Sequence, residues 1–369
     1  MTDVLGIIYA YHAQPDLGAL VARRTAASLP FCARYRSIDF ALSGMANGGI
    51  RDVGVVMQRD YQSLLDHLGN GRDWDLNRRG GGLRLLPPFG LPDSSGGKYS
   101  GCIAALQAAS SYIADSGAEY VLLQRGNLIV NLDTADIIRS HIESEVDITA
   151  VCGVIEPSIP HHSYVVDSSG TATCVLSRQS PGSSGAPALE VYIIRRSLLL
   201  ELLKKSREHG WERFHSELMT DFIASGGRVG LYMHGGYAMP LKTVEDYYRG
   251  NMDMLDSEVR AQLFLSDRPV YTKERADVST YYGPDAQVKN CLVADGCYIE
   301  GQIENCVIFR GVRIGSGAVI KNSIIMQDSA IGPGAVIDRV ITDKNVSVSA
   351  GVRLSGIGGP MVIAKGSRL

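Results

Sequence analysis

Ile314-Gly-Ser-Gly-Ala-Val-Ile320 recurs as Ile331-Gly-Pro-Gly-Ala-Val-Ile337, and more loosely as Val348-Ser-Ala-Gly-Val-Arg-Leu354. Each copy begins 17 residues after the one before, at 314, 331 and 348. Val293-Ala-Asp-Gly-Cys-Tyr-Ile299 is a further copy upstream. A second motif interleaves with the first: Lys289-Asn-Cys-Leu, Glu304-Asn-Cys-Val and Lys321-Asn-Ser-Ile. Aliphatic residues near every sixth position, with small residues between them, predict a β-helix of three short faces per coil. The aliphatics stack inward, and Gly or Asn takes the tight corners. An ordinary β-sandwich is the competing architecture, and repetition this regular argues against it.

Upstream of the repeats the pattern changes. Short, β-branched-rich apolar runs at Val4–Tyr9, Val53–Met57, Tyr120–Leu123 and Ile148–Val154 alternate with helical stretches at Tyr61–Leu68, Cys102–Ala114 and Thr134–Ser144. Asp133-Thr134-Ala135-Asp136 has the form of a helix N-terminal cap, with carboxylates near the positive end of the helix. Such alternation implies an α/β domain with a mostly parallel sheet covered on both faces. Ser180-Pro181-Gly182-Ser183-Ser184-Gly185 reads as a mobile loop, Lys242–Phe264 as one closing helix, and Asp267–Asp285 as the way out of this domain. The expected division is an α/β domain over 1–264, a linker over 265–285 and the β-helix over 286–369.

Composition narrows the function classes. The 369 residues are enough for two domains with substantial cores. Lys and Arg total 36 against 39 Asp and Glu, a formal net charge of −3, which offers no field for a nucleic-acid backbone. Val4–Tyr11 is too short to span a bilayer and lacks the basic flank and cleavage site of a signal peptide, so it reads as a buried first strand. The seven cysteines form no CxxC pair and suggest neither a zinc site nor a disulfide framework. Reduced thiols and a cytoplasmic location are the expectation.

Arg34-Tyr-Arg-Ser-Ile-Asp-Phe-Ala-Leu-Ser43, Gly48-Gly49-Ile50-Arg51, Gly54-Val-Val-Met-Gln58 and Thr243-Val-Glu-Asp-Tyr-Tyr-Arg-Gly-Asn251 carry a family resemblance. Together with the repeats they resemble the bacterial ADP-glucose pyrophosphorylases (glucose-1-phosphate adenylyltransferases), and most of all their non-catalytic D-type regulatory subunit in glycogen synthesis. The resemblance covers essentially the whole chain. It implies a Rossmann-like nucleotidyltransferase domain followed by a left-handed β-helix of hexapeptide type, and oligomers that include a catalytic partner.

The same resemblance implies lost chemistry. In the family a strand ends in Ala-Gly-Asp-His, and that Asp holds the catalytic magnesium; here the strand reads Leu123-Gln124-Arg125-Gly126-Asn127. Asn127 brings no anionic oxygen to a hard cation that favours carboxylate. A second family Asp falls at Pro240, with Lys242 in place of a Gly. The family's glycine-rich loop, GGxGxRLxPLT, corresponds to Ala10–Leu20, where Tyr11, His12 and Gln14 bring Cβ atoms to the place phosphates need bare backbone. No catalytic residue and no cofactor is therefore expected in this chain, magnesium belonging to the catalytic partner.

Some ligand positions persist in the resemblance. Gln58 matches a glutamine facing adenine, and equally reads as a polar residue ending a strand. Arg178 falls at a sugar-phosphate-binding Lys, and Arg can hold phosphate bidentately, though a solvated surface Arg is the plainer reading. Arg24, Arg34 and Arg36 match the region where the family binds sugar-phosphate or inorganic anion effectors, with Ala26 replacing a Lys. They read equally well as structural, paired with acids such as Asp39 or Asp52. Arg310, Arg313 and Arg353 are candidates to complete such a site from the β-helix.

Two other functions compete with a regulatory subunit that assembles as a heterotetramer. An active nucleotidyltransferase with an atypical metal site would need Asp133, Asp136 or Glu245 to replace the lost carboxylates. An acyltransferase would need a β-helix histidine as general base, yet all eight histidines precede the repeats. His161-His162, flanked by prolines, reads as a loop, His67 as a packing residue, and Cys291, Cys297 and Cys306 as small apolar fillers.

Overall fold

The computed structural model describes residues 3–10, 15–88, 99–155, 159, 161–179 and 185–369, save the side chains of Pro15, Ser177, Arg178 and Gln179. Tyr11, His12, Gln14 and the stretch 180–184 lie outside the described residues.

The N-terminal part is built on a nine-stranded sheet. Val4–Tyr9 pairs in parallel with Asp52–Val56 and Tyr120–Arg125, and Asp52–Val56 with Gly82–Leu86. Ala186–Arg195 then runs antiparallel to Tyr120–Arg125, Ile148–Gly153 and His161–Val166, so the sheet is parallel at one side and mixed at the other. Fully buried strands such as Val4–Tyr9 and Ile148–Gly153 have the unbroken apolar character of a sheet covered on both faces. Thr134–Ser144 begins as its cap predicts, the Asp133 side chain accepting from the Asp136 N–H at 3.0 Å.

Three local expectations are corrected. The closing helix is two helices, Val244–Asp253 and Ser257–Leu263, because Asp256 caps a new helix by accepting from the Glu258 N–H at 2.7 Å. Cys102–Ala114 likewise divides into Cys102–Ala108 and Ser110–Asp115. His161-His162 opens a strand rather than lying in a loop, because His161–Val166 pairs along Ala172–Gln179.

The C-terminal part is a left-handed β-helix. Its ladder begins at Tyr281–Tyr282, which pairs in parallel with Tyr298–Ile299 and through it with Arg313–Ile314, Ala330–Ile331 and Ser347–Val348. Ile299, Ile314, Ile331 and Val348 therefore stack one above another, all buried. The corners belong to the residues the repeat placed there: Asn290, Asn305 and Asn322 have φ of 48°, 52° and 45°, and Gly317 and Gly334 have 70° and 67°. Cys297 and Cys306 are buried in the coil core, and Cys291 packs against it. A separate apolar cluster runs across from the α/β layer to the coils, joining Phe31, Phe40 and Tyr247 to Val307, Phe309, Ile324 and Ile341.

Candidate functional site

In an open α/β sheet, ligands bind beyond the carboxyl ends of the parallel strands. Here those ends carry Tyr9, Gln58 and Arg125, Gln58 lying half-buried just past Asp52–Val56. Arg178 lies in Ala172–Gln179, with its side chain outside the described residues.

Leu128–Val130 pairs antiparallel with Ala238–Pro240, Leu128 opposite Pro240, so the two positions expected to lack carboxylates are brought side by side. Asn127 is buried, and its Nδ2 donates to the Leu241 carbonyl at 2.7 Å while the Leu241 N–H donates to the Asn127 carbonyl at 2.9 Å. The amide is thus used to lock two segments together. Cationic residues flank this pair in the sequence, Arg125 before Asn127 and Lys242 after Leu241. Arg125 forms an ion pair with Glu190, and Lys242 approaches the same carboxylate at 3.8 Å. His215 Nε2 lies 3.3 Å from Glu190, and the His162 ring stacks on His215 at 5.0 Å. The attraction of Arg125, then of His215 and Lys242, outweighs burial and holds the Glu190 carboxyl well below the usual range. Burial lowers the pKa of Lys242, and burial and His215 push His162 down to about 4.

This donor set does not fit a magnesium ion, which takes carboxylate, carbonyl or water oxygen. An amide whose N–H₂ is committed and a proline take the two positions where the resemblance puts carboxylates, and the carboxylate nearby, Glu190, is engaged by a guanidinium and an ammonium. Nor do the alternative acids serve. Asp133 caps a helix and pairs with Arg268 at 2.6 Å, Asp136 accepts from the Tyr232 hydroxyl at 2.7 Å, and Glu245 lies 3.6 Å from Arg339. Among the described residues no three His, Cys, Asp or Glu side chains gather as a metal would require. Sequence reasoning missed Arg125, Glu190 and His215. The available signal was a glutamate inside the apolar run Ala188-Leu-Glu-Val-Tyr-Ile-Ile194.

The three N-terminal arginines are divided between two places. Arg24 is buried in an ion pair with Asp343 of the β-helix. Arg36 donates to the Ser63 carbonyl and, at 3.0 Å, to the Ser63 hydroxyl. Asp39 is engaged by the Arg36 N–H and by His67 at 2.5 Å, and Asp52 by the Tyr112 hydroxyl at 2.5 Å; among the described residues neither forms an ion pair with these arginine side chains, though the Asp39 charge acts on Arg36. Burial lowers the Arg36 pKa to about 10. Lys344, from the last coils, joins Arg24 and Arg36: burial, then these two cations, bring its pKa down to about 7. Arg34 instead lines an open cavity of 440 Å³ with Arg72, Tyr271 and Thr272. Buried Arg310 feels Arg34, while Arg313 stacks on Tyr298 at 5.2 Å. No helix among the described residues is long and apolar enough to cross a membrane.

Two family models match the chain: a nucleotidyl transferase over residues 17–173 and a GlmU-like, C-terminal hexapeptide over residues 278–357. The glycogen biosynthesis protein GlgD of Bacillus subtilis (strain 168) is 33% identical over 367 residues, 99% of this chain and 96% of that protein. The protein of the same name from Geobacillus stearothermophilus is 37% identical over 319 residues, covering 86% and 82% of the two chains. A glucose-1-phosphate adenylyltransferase from Clostridium botulinum (strain Alaska E43 / Type E3) is 29% identical over 326 residues, 87% and 84% of the two.

Proposed function

The chain belongs to the family of the glycogen biosynthesis protein GlgD and glucose-1-phosphate adenylyltransferase, and from that premise we propose that it is a regulatory subunit without catalysis of its own. It assembles with the catalytic glucose-1-phosphate adenylyltransferase subunit, as a heterotetramer in the cytoplasm, and raises ADP-glucose synthesis for glycogen. Joining glucose-1-phosphate to the α-phosphate of ATP gathers several negative charges around one phosphorus, which metal, cations and N–H donors must offset. The observation that carries the reading is the pairing of Asn127 with Leu241, beside Pro240, where the family relies on metal-binding carboxylates. Glu190, the carboxylate facing that place, is held by Arg125, Lys242 and His215.

Regulation enters, in this reading, through an anion. Arg24, Arg36 and Lys344 supply a partly buried cationic corner between the two parts of the chain, and an oxyanion there offsets the mutual repulsion of Lys344 and the arginines. Arg34 stands apart from that corner, in a cavity that Asp73 and Glu274 also line. Gln58 and Arg178 are remnants of the substrate pocket, and magnesium is bound by the catalytic partner alone.

The test is an ADP-glucose synthesis assay on the purified chain, alone and mixed with the catalytic subunit of the same organism. Silence alone with a gain in the mixture supports the proposal; robust turnover by the chain alone defeats it.

A further inference from the structure

Glu190 is placed by a backbone that ordinary strand pairing does not require. It lies within Ala186–Arg195 with φ of 60°, a left-handed conformation unusual for a residue with a Cβ. The register against Ile148–Gly153 shifts between Ala188 and Val191, so Glu190 sits in a bulge. Bulges re-aim a side chain out of the regular alternation, and backbone outliers of this kind persist where the surroundings over-determine them.

What the bulge achieves is a carboxylate delivered to three nitrogen groups. Arg125 pairs with one oxygen, which His215 Nε2 also approaches at 3.3 Å, and Lys242 approaches the other at 3.8 Å. His215 is itself oriented. The Tyr164 hydroxyl donates to that of Tyr192 at 3.3 Å, and Tyr192 in turn meets His215 Nδ1, which leaves the Nε2 proton for Glu190. His215 lies in the π-helical stretch Phe214–Met219. A guanidinium and an ammonium face the Glu190 carboxylate, and the buried Arg125 Nε has no hydrogen-bond partner among the described residues. The constellation offers more donors than the Glu190 carboxylate can accept from, the Arg125 Nε among them.

We propose that Arg125, Lys242 and His215 form an oxyanion-binding site whose resident anion is the chain's own Glu190 carboxylate. The two cations lie two residues from Asn127 and from Pro240, so they belong to the neighbourhood of the lost metal. The pocket is closed by self-occupation rather than merely emptied of catalytic groups. This inference rests on the reading of the pocket as catalytically degenerate.

The site becomes available to an external oxyanion when Glu190 is removed. Glu190→Gly removes the carboxylate, and relief of the left-handed strain offsets part of the cost of leaving Arg125 and Lys242 without it. Acetate, the carboxylate that the substitution excises, and inorganic phosphate are the probes. Expected is a saturable rise in the melting temperature of E190G with either anion, beyond the response of the unaltered chain, which retains the Arg24–Lys344 corner. Adding Arg125→Met to E190G should abolish the excess. An E190G response equal to that of the unaltered chain, or one insensitive to Arg125→Met, overturns the proposal. Should E190G fail to fold, the Glu190 side-chain carboxyl is followed by carbon-13 NMR in the unaltered chain. Ionisation that persists below the ordinary carboxylate range supports the ion cluster, and titration within that range overturns it. Turnover by the chain alone would defeat the degenerate reading, whichever way these titrations fall.

Discussion

Arg24 and Asp343 stand 319 residues apart in the chain and meet in an ion pair whose side chains are 4% and 2% exposed. The pair fastens the α/β layer to the last coils of the β-helix. Removing one partner of such a pair leaves the other charge buried and uncompensated, at about 3–5 kcal/mol. Arg24→Met alone or Asp343→Leu alone should therefore lower unfolding stability on that scale. The double change Arg24→Met with Asp343→Leu should recover much of the loss, because no lone charge remains. A double-mutant cycle in urea checks this, and simple additivity of the two single changes would refute the coupling.

Lys344 makes stability depend on pH in a definite direction. Its pKa falls from 10.5 to about 7 on folding, so between those values the unfolded chain binds more protons than the folded one. Stability then rises as pH increases from about 7 to 10.5, and below 7 the folded state bears the full penalty of the charged ammonium. Lys344→Met should be more stable than the unaltered chain at pH 6 and should flatten this rise (about 1 pH unit steps suffice to see it). Phosphate should stabilise the unaltered chain at pH 6 more than it does the variant, and equal responses would remove Lys344 from the anion site.

Buried His141 and half-buried His162 act on the acid side. The pKa values of His141 and His162 both fall from 6.5 to about 4, burial being the largest cause in each. Between those limits the unfolded chain binds more protons, so stability is lost as pH falls from 6.5 toward 4. His162→Asn should remove part of the slope while leaving the contribution of His141, whose Nδ1 lies 2.8 Å from Thr149 Oγ1. Urea midpoints measured across this interval decide it; an unchanged slope would mean that His162 does not titrate as its burial demands.

The β-helix was the most legible part of the chain, because every coil restates the same rule and each rung buries its aliphatic residue on its neighbours. Ile314 and Ile331 needed no knowledge of anything outside the repeat. The break before Ser257 was harder to see: apolar periodicity continues through Lys242–Phe264, and only the capping geometry of Asp256 divides it. Contacts between distant parts were not legible at all. Lys344 feels the charges of Arg36 and Arg24 only because the final coils dock on the α/β layer, a placement that no local spacing encodes. The loss of Asp at position 127 was readable from the resemblance, whereas the cations that accompany it depend on the bulge at Glu190.

Asn127→Asp is the decisive single substitution for the pocket. The present amide donates to the Leu241 carbonyl at 2.7 Å, and a carboxylate has no proton to offer that oxygen. Two acceptors would then face each other in a buried setting, with a cost of about 1–3 kcal/mol for the unsatisfied group. Arg125 and Lys242 would draw the new carboxylate toward themselves, competing with Glu190 for the same nitrogen groups. An acid so engaged has no more affinity for magnesium than Glu190 has. Asn127→Asp should therefore be less stable and should give no ADP-glucose synthesis by itself, with stimulation of the catalytic partner kept wherever the variant remains folded. Magnesium-dependent turnover by Asn127→Asp alone would show that the metal site lacks only one oxygen, and the cationic neighbourhood would then have to be read as compatible with the metal.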